Sequence, residues 1–345
     1  MSDEVAADIV ERHTVHSEAD ELLVADTARH TATEVGFDET VSEEVGLVAT
    51  ELAANVLDHA GSGEVTVARI SEGDRAGVRI ESMDAGPGID DVDAAFADGA
   101  STAGSLGGGL GTVNRLMDRV TVAAPGEPDY GTHVVADRWV RPEYEATADC
   151  PLSFGAASRP MRSGAANGDS FVIKRWNDRA LVGVIDGLGH GRPAHAAAMA
   201  AKTYVERHFD QPMQSIFAGA ERACRGTRGV VMALARFDWA ASTVTVASVG
   251  NINHKVDGAA DLQVVTRRGV IGSNGPDPVV ASADWHDGDR LVLFSDGVVS
   301  HWSFDEYPDL FEQSAAASAR QLLQELGKDD DDSTVLVVGD APEDC

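Results

Sequence analysis

Glu51 and Asn55 stand four residues apart in ATELAANVLDHA, so on a helix they share one face. A carboxylate beside an amide oxygen can hold a hard cation and a reacting hydroxyl or water, although such a pair alone is more often a solvated polar face. Asp84 narrows the choice. Val78, Ile80, Ser82 and Asp84 alternate in phase along GVRIESMD, so the carboxylate extends the inward face of a strand into apolar surroundings and needs a partner there. An adenine ring supplies one, because its exocyclic amine donates to a carboxylate while its faces take apolar contacts. In AGPGI, Gly86 and Gly88 let the backbone pass close to a ligand. Gly104, Gly107, Gly108, Gly109 and Gly111 then precede a helix, an arrangement that offers amides to phosphates, against the plainer reading of a surface loop. No G-K-S or G-K-T follows, so a Walker lysine is absent, and no G-x-G-x-x-G opens a βαβ unit.

A second set of acids lies at strand ends: Asp169 in NGDSFVIK, Asp186 in LVGVIDGLGHG, Asp296 in RLVLFSDGV and Asp331 in DDSTVLVV. Asp186 continues the face of Val182 and Val184, and Asp296 that of Val292 and Phe294. A single Asp-Gly is ordinarily a tight turn. Four such acids gathered without Arg or Lys partners would repel one another unless divalent cations sat between them, and all-oxygen ligands favour magnesium or manganese over zinc. Asp332 is interchangeable with Asp331 at this stage, since the acidic run spans Asp329 to Asp332. His190 and His254 read as structural histidines, and the five tryptophans are scattered as core or rim residues.

The elements that must position these residues follow from periodicity. Val41, Val45, Val48, Leu52 and Val56 form the stripe of a helix lying on a core, with an earlier helix near Ala19 to Val35. Strands are expected from Glu64, Gly77 and Gly131, and a short helix near Val113 to Asp118. Helices first and strands after predict an α+β sandwich, with helices on one face of a mixed sheet. Around Arg141 to Pro151 periodicity is lost, which sets domains at 1–140 and 152–345 joined by a linker at 141–151. Beyond it come seven strand-like runs, FVIKRW, ALVGVID, GVVMALARFD, TVTVASVG, LQVVTRR, RLVLFSD and STVLVVG. Helices near Ala194 to Phe209, Met213 to Cys224 and Ser314 to Leu326 flank two packed sheets.

Composition limits the partners. The 345 residues suit two domains, and no apolar run reaches the roughly 18 residues of a membrane span. An acidic amino terminus without a basic region predicts no secretory signal, hence a cytoplasmic protein. Cys150, Cys224 and Cys345 are scattered thiols with no C-x-x-C spacing. With 57 acidic against 27 basic residues the net charge is −30, which argues against nucleic acid and anionic membranes. Only Lys174, Lys202, Lys255 and Lys328 are lysines, a bias that a salt-rich cytoplasm and a GC-rich genome explain equally well. The first 140 residues hold 28 acids and 8 bases, so a triphosphate bound there must rely on backbone amides and a metal ion.

Over residues 14–139, ELAANVLDHAG, DAGPGI and DGASTAGSLGGGLGTVNRLMDRV resemble the GHKL (Bergerat-fold) ATPase superfamily, and within it the small serine kinases that act as anti-sigma factors and stressosome switches. The resemblance implies an ATP site with Glu51 as general base, Asn55 as magnesium ligand, Asp84 as adenine contact, the glycines as phosphate cradle and Thr132 near adenine. Sensor histidine kinases share the fold, but His13, His16 and His30 do not sit in a phosphoaccepting helix hairpin. Over residues 152–340, FGAASRP with GDSF, DGLGHG, VGNINHKV, RRGVIG, SDGV and DDST resemble the type-2C, metal-dependent (PPM) serine/threonine phosphatases of the stage-II-sporulation E and stress-regulator group. That resemblance implies an αββα sandwich and a binuclear magnesium or manganese site. Asp186 would bridge the ions, with the Gly187 carbonyl, Asp169, Asp296 and Asp331 as further ligands. Together the two imply a partner-switching regulator acting on a STAS-type protein, of open oligomeric state. The alternatives are a phosphatase gated by ATP binding without kinase turnover and a non-catalytic sequestering scaffold.

Overall fold

The computed structural model describes residues 5–72, 75–89, 92–96, 109–122, 131–141, 150–162, 166–310 and 312–341. The chain divides into two compact units, Met1–Pro142 and Glu143–Cys345. Gly104, Gly107, Gly108 and most of the segment expected as a linker lie outside the described residues.

The first unit opens with a strand, β1 (Ala6–Val15), before helices α1 (Glu18–Val35) and α2 (Glu39–Ala60). Helix α1 starts where Ser17 and Asp20 close a capping box: the Asp20 carboxylate accepts the amides of Ser17 at 2.9 Å and His16 at 3.0 Å. Helix α2 is capped by Asp38, which accepts the Val41 amide at 2.8 Å, and it ends at the left-handed Gly61. Its buried stripe of Val45, Val48, Leu52 and Val56 meets Val65, Val67, Val78 and Ile80 in one core. The remaining elements are β2 (Gly63–Glu72), β3 (Arg75–Asp84), the short turn α3 (Val92–Ala95), α4 (Leu110–Leu116), β4 (Arg119–Val122) and β5 (Thr132–Trp139). The strands form one sheet in the order β1-β2-β3-β5-β4. Every pairing in it is antiparallel, so the expected mixed sheet is corrected, as is the order of helices before strands. Strand β1 escapes periodicity because nearly all of it is exposed; its backbone pairing to β2 holds it, rather than a buried face. Two buried acids anchor the sheet's far end. Asp137 pairs with Arg79 and Arg119, and Asp118 accepts from Arg138, Arg141 and the Trp139 amide.

The second unit comprises β6 (Leu152–Arg159), β7 (Asp169–Trp176), β8 (Arg179–Gly187), α5 (Arg192–Arg207), α6 (Met213–Ala223), β9 (Val230–Asp238), β10 (Thr243–Val249), β11 (Asn253–Asp257), β12 (Val279–Asp284), β13 (Arg290–Phe294), α7 (Ala315–Leu326) and β14 (Ser333–Asp340). One sheet runs β12-β10-β9-β8-β7 and the other β11-β13-β14-β6. Val182, Val184, Phe237, Leu293 and Leu336 fill the space between them. Helices α5 and α6 cover the first sheet through Ala197, Ala201, Ile216 and Phe217, and α7 covers the second through Ala319 and Leu322, which gives four layers. LQVVTRR is not a strand: it makes a single bridge, Arg267 to Val249, with no neighbour to extend the ladder. Among the described residues, no helix is long and apolar enough to cross a membrane.

Candidate functional site

In the first unit Glu51 and Asn55 both lie half-buried on α2, one turn apart and flanking the fully buried Leu52 and Val56. Burial pushes the Glu51 carboxyl above the usual range, while the Gly109 amide, which donates to it, and the Arg115 charge pull it back. The predicted helix start at the second glycine run is therefore brought onto α2, with Gly109 as N-cap of α4. Asp84 ends β3 with 9% of its surface exposed, in phase with the buried Val78, Ile80 and Ser82. Its Oδ1 accepts the amides of Gly86 at 2.8 Å and Thr132 at 3.2 Å, and its carbonyl accepts the Gly131 amide at 2.7 Å. The partner that Asp84 needs is thus partly backbone, and Oδ2 accepts nothing from the described residues. Thr132 sits directly across the ladder from Asp84. The turn beyond is tight: a Cβ on Gly131 would come 2.1 Å from the Gly86 carbonyl oxygen, so neither strand end tolerates a side chain there. Gly88 adopts φ +78 and its Cβ would meet the Gly131 carbonyl at 2.8 Å, while Gly111 is buried in α4.

In the second unit Asp169 and Asp186 are directly opposed on the β7–β8 ladder. Asp296 follows β13 and Asp331 precedes β14, so the acids come from the edges of both sheets. Burial first, then the charges of Asp169, Asp296, Asp331 and Asp332, push Asp186 up to about 9. Burial also raises Asp169 to about 7, against hydrogen bonds from Ser295 and Thr334 that favour its ionised form. Asp331 is raised by burial and by Asp296. Among the described residues, no three His, Cys, Asp or Glu side chains stand close enough to grip one ion as placed. Their charges nonetheless reach one another, and the all-oxygen donor set fits hard divalent cations, which would draw these oxygens inward against that repulsion. Gly187 lies where a Cβ would come 2.1 Å from the Ala194 carbonyl oxygen, so only glycine lets α5 seat on the end of β8.

Sequence reasoning missed the residues that hold these acids. The wholly buried Ser295 hydroxyl donates to Asp169 Oδ2 at 2.6 Å and accepts the Thr334 amide at 2.9 Å. Asn167 donates to Ser158 at 2.7 Å, and Ser158 shares a 2.6 Å hydrogen bond with the Thr334 hydroxyl. Asn251 donates to Asp296 Oδ2 at 2.7 Å. Asp332 accepts the Met161 amide on Oδ1 and the Gly168 amide on Oδ2, both at 2.8 Å. Both oxygens of Asp332 thus tie the β6–β7 connection down, whereas Oδ1 of Asp331 accepts only the amide of its neighbour. The one signal available was position: Ser295 and Asn251 adjoin or face an acid already singled out.

Two sites of this kind on an antiparallel GHKL-like sandwich and an αββα sandwich define a fused ATPase–phosphatase architecture. The family described as "Histidine kinase-like ATPase domain" matches residues 17–137, and "Stage II sporulation protein E (SpoIIE)" matches residues 177–339. Through its first unit the chain belongs to the histidine kinase-like ATPase family, and its second unit carries a PPM-type phosphatase domain. It is 34% identical over 128 residues to the serine/threonine-protein kinase RsbT of Bacillus subtilis (strain 168), covering 37% of this chain and 94% of that protein. It is 25% identical over 134 residues to the phosphoserine phosphatase RsbX of the same organism, covering 38% of this chain and 67% of RsbX. Among solved structures, one described as "The bacterial stressosome: a modular system that has been adapted to control secondary messenger signaling" superposes with TM-score 0.51 at 29% identity, over 54% of this chain and 98% of the other. RsbX in complex with magnesium superposes with TM-score 0.50 at 18% identity, over 65% and 100%, which shows the fold.

Proposed function

We propose that the chain is a bifunctional partner-switching regulator that phosphorylates a serine or threonine of a STAS-type protein and removes the same phosphate. The observation that supports it most is the presence, in one chain, of a helix-borne Glu51–Asn55 pair beside Asp84 and of a carboxylate cluster at the ends of two packed sheets. In the kinase half (residues 1–140), Glu51 would take the hydroxyl proton of the acceptor, Asn55 would hold the nucleotide's magnesium, and Asp84, with Thr132 beside it, would accept the adenine amine. The glycines Gly86, Gly88, Gly107, Gly108, Gly109 and Gly111 would leave backbone amides open to phosphates. In the phosphatase half (residues 152–345), Asp169, Asp186, the Gly187 carbonyl, Asp296 and Asp331 would hold magnesium or manganese, while Asp332 positions the β6–β7 connection. Bound ions would supply a polarised water and offset the phosphoryl charge. Ser295, Thr334 and Asn251 fix the carboxylates that face it.

A second reading keeps the phosphatase and makes the first unit an ATP-binding gate. The contact of the Gly109 amide with Glu51 favours it, because a base so engaged is less available to an acceptor hydroxyl. One time course separates the two. With ATP, manganese and STAS proteins encoded nearby, Glu51→Ala should slow partner phosphorylation by about 10²–10⁴ and leave dephosphorylation within about threefold. Asp186→Asn should accumulate phosphorylated partner. Equal phosphorylation by the parent and Glu51→Ala would refute the base assignment, and none by any variant would favour the gate.

A further inference from the structure

We propose that the rim of the carboxylate cluster in the second unit is a docking surface for an acidic, phosphorylated protein segment, carried by Arg192, Arg228, Arg267 and Arg268. The inference rests on the phosphatase reading of that cluster and adds what its substrate must look like around the phosphate.

All four arginines are exposed, and none of their guanidinium groups makes an ion pair or hydrogen bond. That is unusual in a chain with 57 acids and 27 bases. Elsewhere in the unit arginines have taken carboxylates: Arg179 pairs with Asp238, Arg290 with Asp257, and Arg159 and Arg162 with Asp329.

The backbone brings the four together. Arg228 follows α6, and its Nη1 lies 2.6 Å from where a Cβ of Gly189 would be, so the guanidinium rests on the loop that leaves Asp186. Leu188 in that loop donates to the Gly229 carbonyl at 3.0 Å, which fixes the two loops side by side. Arg192 begins α5, whose first turn presses the Ala194 carbonyl against Gly187. The loop carrying Arg267 and Arg268 closes the rim. Gly250 donates to the Arg267 carbonyl at 2.8 Å, and Val230 and Ile271 exchange hydrogen bonds at 2.9 and 2.8 Å. Val230 is in turn the ladder partner of Gly187. Asp277 stands further along the same loop and leaves it with a net positive charge.

A cluster of acids repels a phosphorylated acidic segment on approach. Unpaired cations at its edge would offset that repulsion, raise the encounter rate and select sequences with acids beside the phosphate. Lysine-flanked sites would be disfavoured for the same reason.

The test uses the full chain with manganese and three probes: p-nitrophenyl phosphate, a phosphoserine peptide flanked by glutamates and one flanked by lysines. At low salt the parent should favour the glutamate peptide by about fivefold or more in kcat/KM, mainly through KM, and salt near the molar range should erase the preference. The combined change of Arg192, Arg228, Arg267 and Arg268 to alanine should erase it too, with p-nitrophenyl phosphate turnover within about twofold of the parent, since that probe has no flanking residues to dock. Because all four side chains are exposed, an unchanged melting temperature is expected and serves as the folding control. A preference that survives in the variant, or a parallel fall for all three probes in a folded variant, overturns the proposal. Should the parent hydrolyse none of them, the phosphatase reading fails. Fluorescence anisotropy of the glutamate peptide then decides the rim by itself: arginine-dependent, salt-sensitive binding upholds it and its absence overturns it.

Discussion

Replacing Ser295 by alanine removes one oxygen atom from the core and should be felt at the metal site. The hydroxyl is fully buried, 2.6 Å from Asp169 Oδ2 and 2.9 Å from the Thr334 nitrogen. Its loss takes away a hydrogen bond to a charged group, worth roughly 1.5–3 kcal/mol, and strands a buried amide at a further cost of roughly 1–3 kcal/mol. The two effects share one atom and are not additive, so a total of about 2–4 kcal/mol is expected. Part of it falls on folding. The remainder falls on Asp169, whose rotamer and ionised form the serine supports, and loss of a partner that orients a metal ligand typically weakens metal affinity about 10–100-fold. The assay is a manganese titration of p-nitrophenyl phosphate hydrolysis, run beside a urea melt of the same preparations. Ser295→Ala should shift the manganese midpoint upward by at least about tenfold, and Ser295→Thr, which keeps a hydroxyl, should recover most of it. An unchanged manganese midpoint in a folded Ser295→Ala protein would show that Asp169 does not depend on this bond, and with it that the cluster is not organised as argued.

Three further outcomes follow from the same geometry. Asp84→Asn should lower ATP affinity at least about tenfold, through loss of a charged acceptor for the adenine amine, and calorimetry showing unchanged affinity would remove the adenine assignment. Asp137→Asn leaves Arg79 and Arg119 around a neutral side chain that is 1% exposed, so the first unit should lose about 3 kcal/mol in a urea melt, and an unmoved midpoint would mark the network as dispensable. Burial, with the Glu221 charge, pushes the Cys224 thiol up to about 12, so at pH 8 it is almost wholly protonated and should escape iodoacetamide until the protein is unfolded. Mass spectrometry that finds native Cys224 alkylated as fast as the half-buried Cys150 would contradict this.

What the sequence made legible is what depends on local period. The stripe on α2 and the inward phase of Asp84 are each decided within a dozen residues, and both stand as expected. Strand β1 was not legible, because AADIVERHTV buries almost nothing and is held by pairing to a strand more than fifty residues away. LQVVTRR misled for the converse reason: β-branched residues favour extended backbone, but without a neighbouring strand they form only one bridge. At the second site the acids announced themselves by strand phase, whereas Ser295 could not. Its partner lies 126 residues earlier, and a serine before Asp-Gly is as readily a turn residue. Asp331 and Asp332 were indistinguishable by register; they separate only once the amides of Met161 and Gly168 are seen to take both oxygens of Asp332.

The carboxylates of the second unit come from both sheets: Asp169 and Asp186 belong to one, Asp296 and Asp331 to the other. Cations held among them would therefore act as a clasp across the sandwich, one that exists only while the two layers are stacked. An unfolded chain, with those acids scattered over more than 160 residues, offers nothing comparable, so by mass action the ions would favour the folded form by about 2.7 kcal/mol at a hundredfold excess over their dissociation constant. The supply of manganese or magnesium in the cell would then set how long the protein survives its proteases as well as how fast it works, and starvation for the metal would lower the amount of this regulator together with its activity.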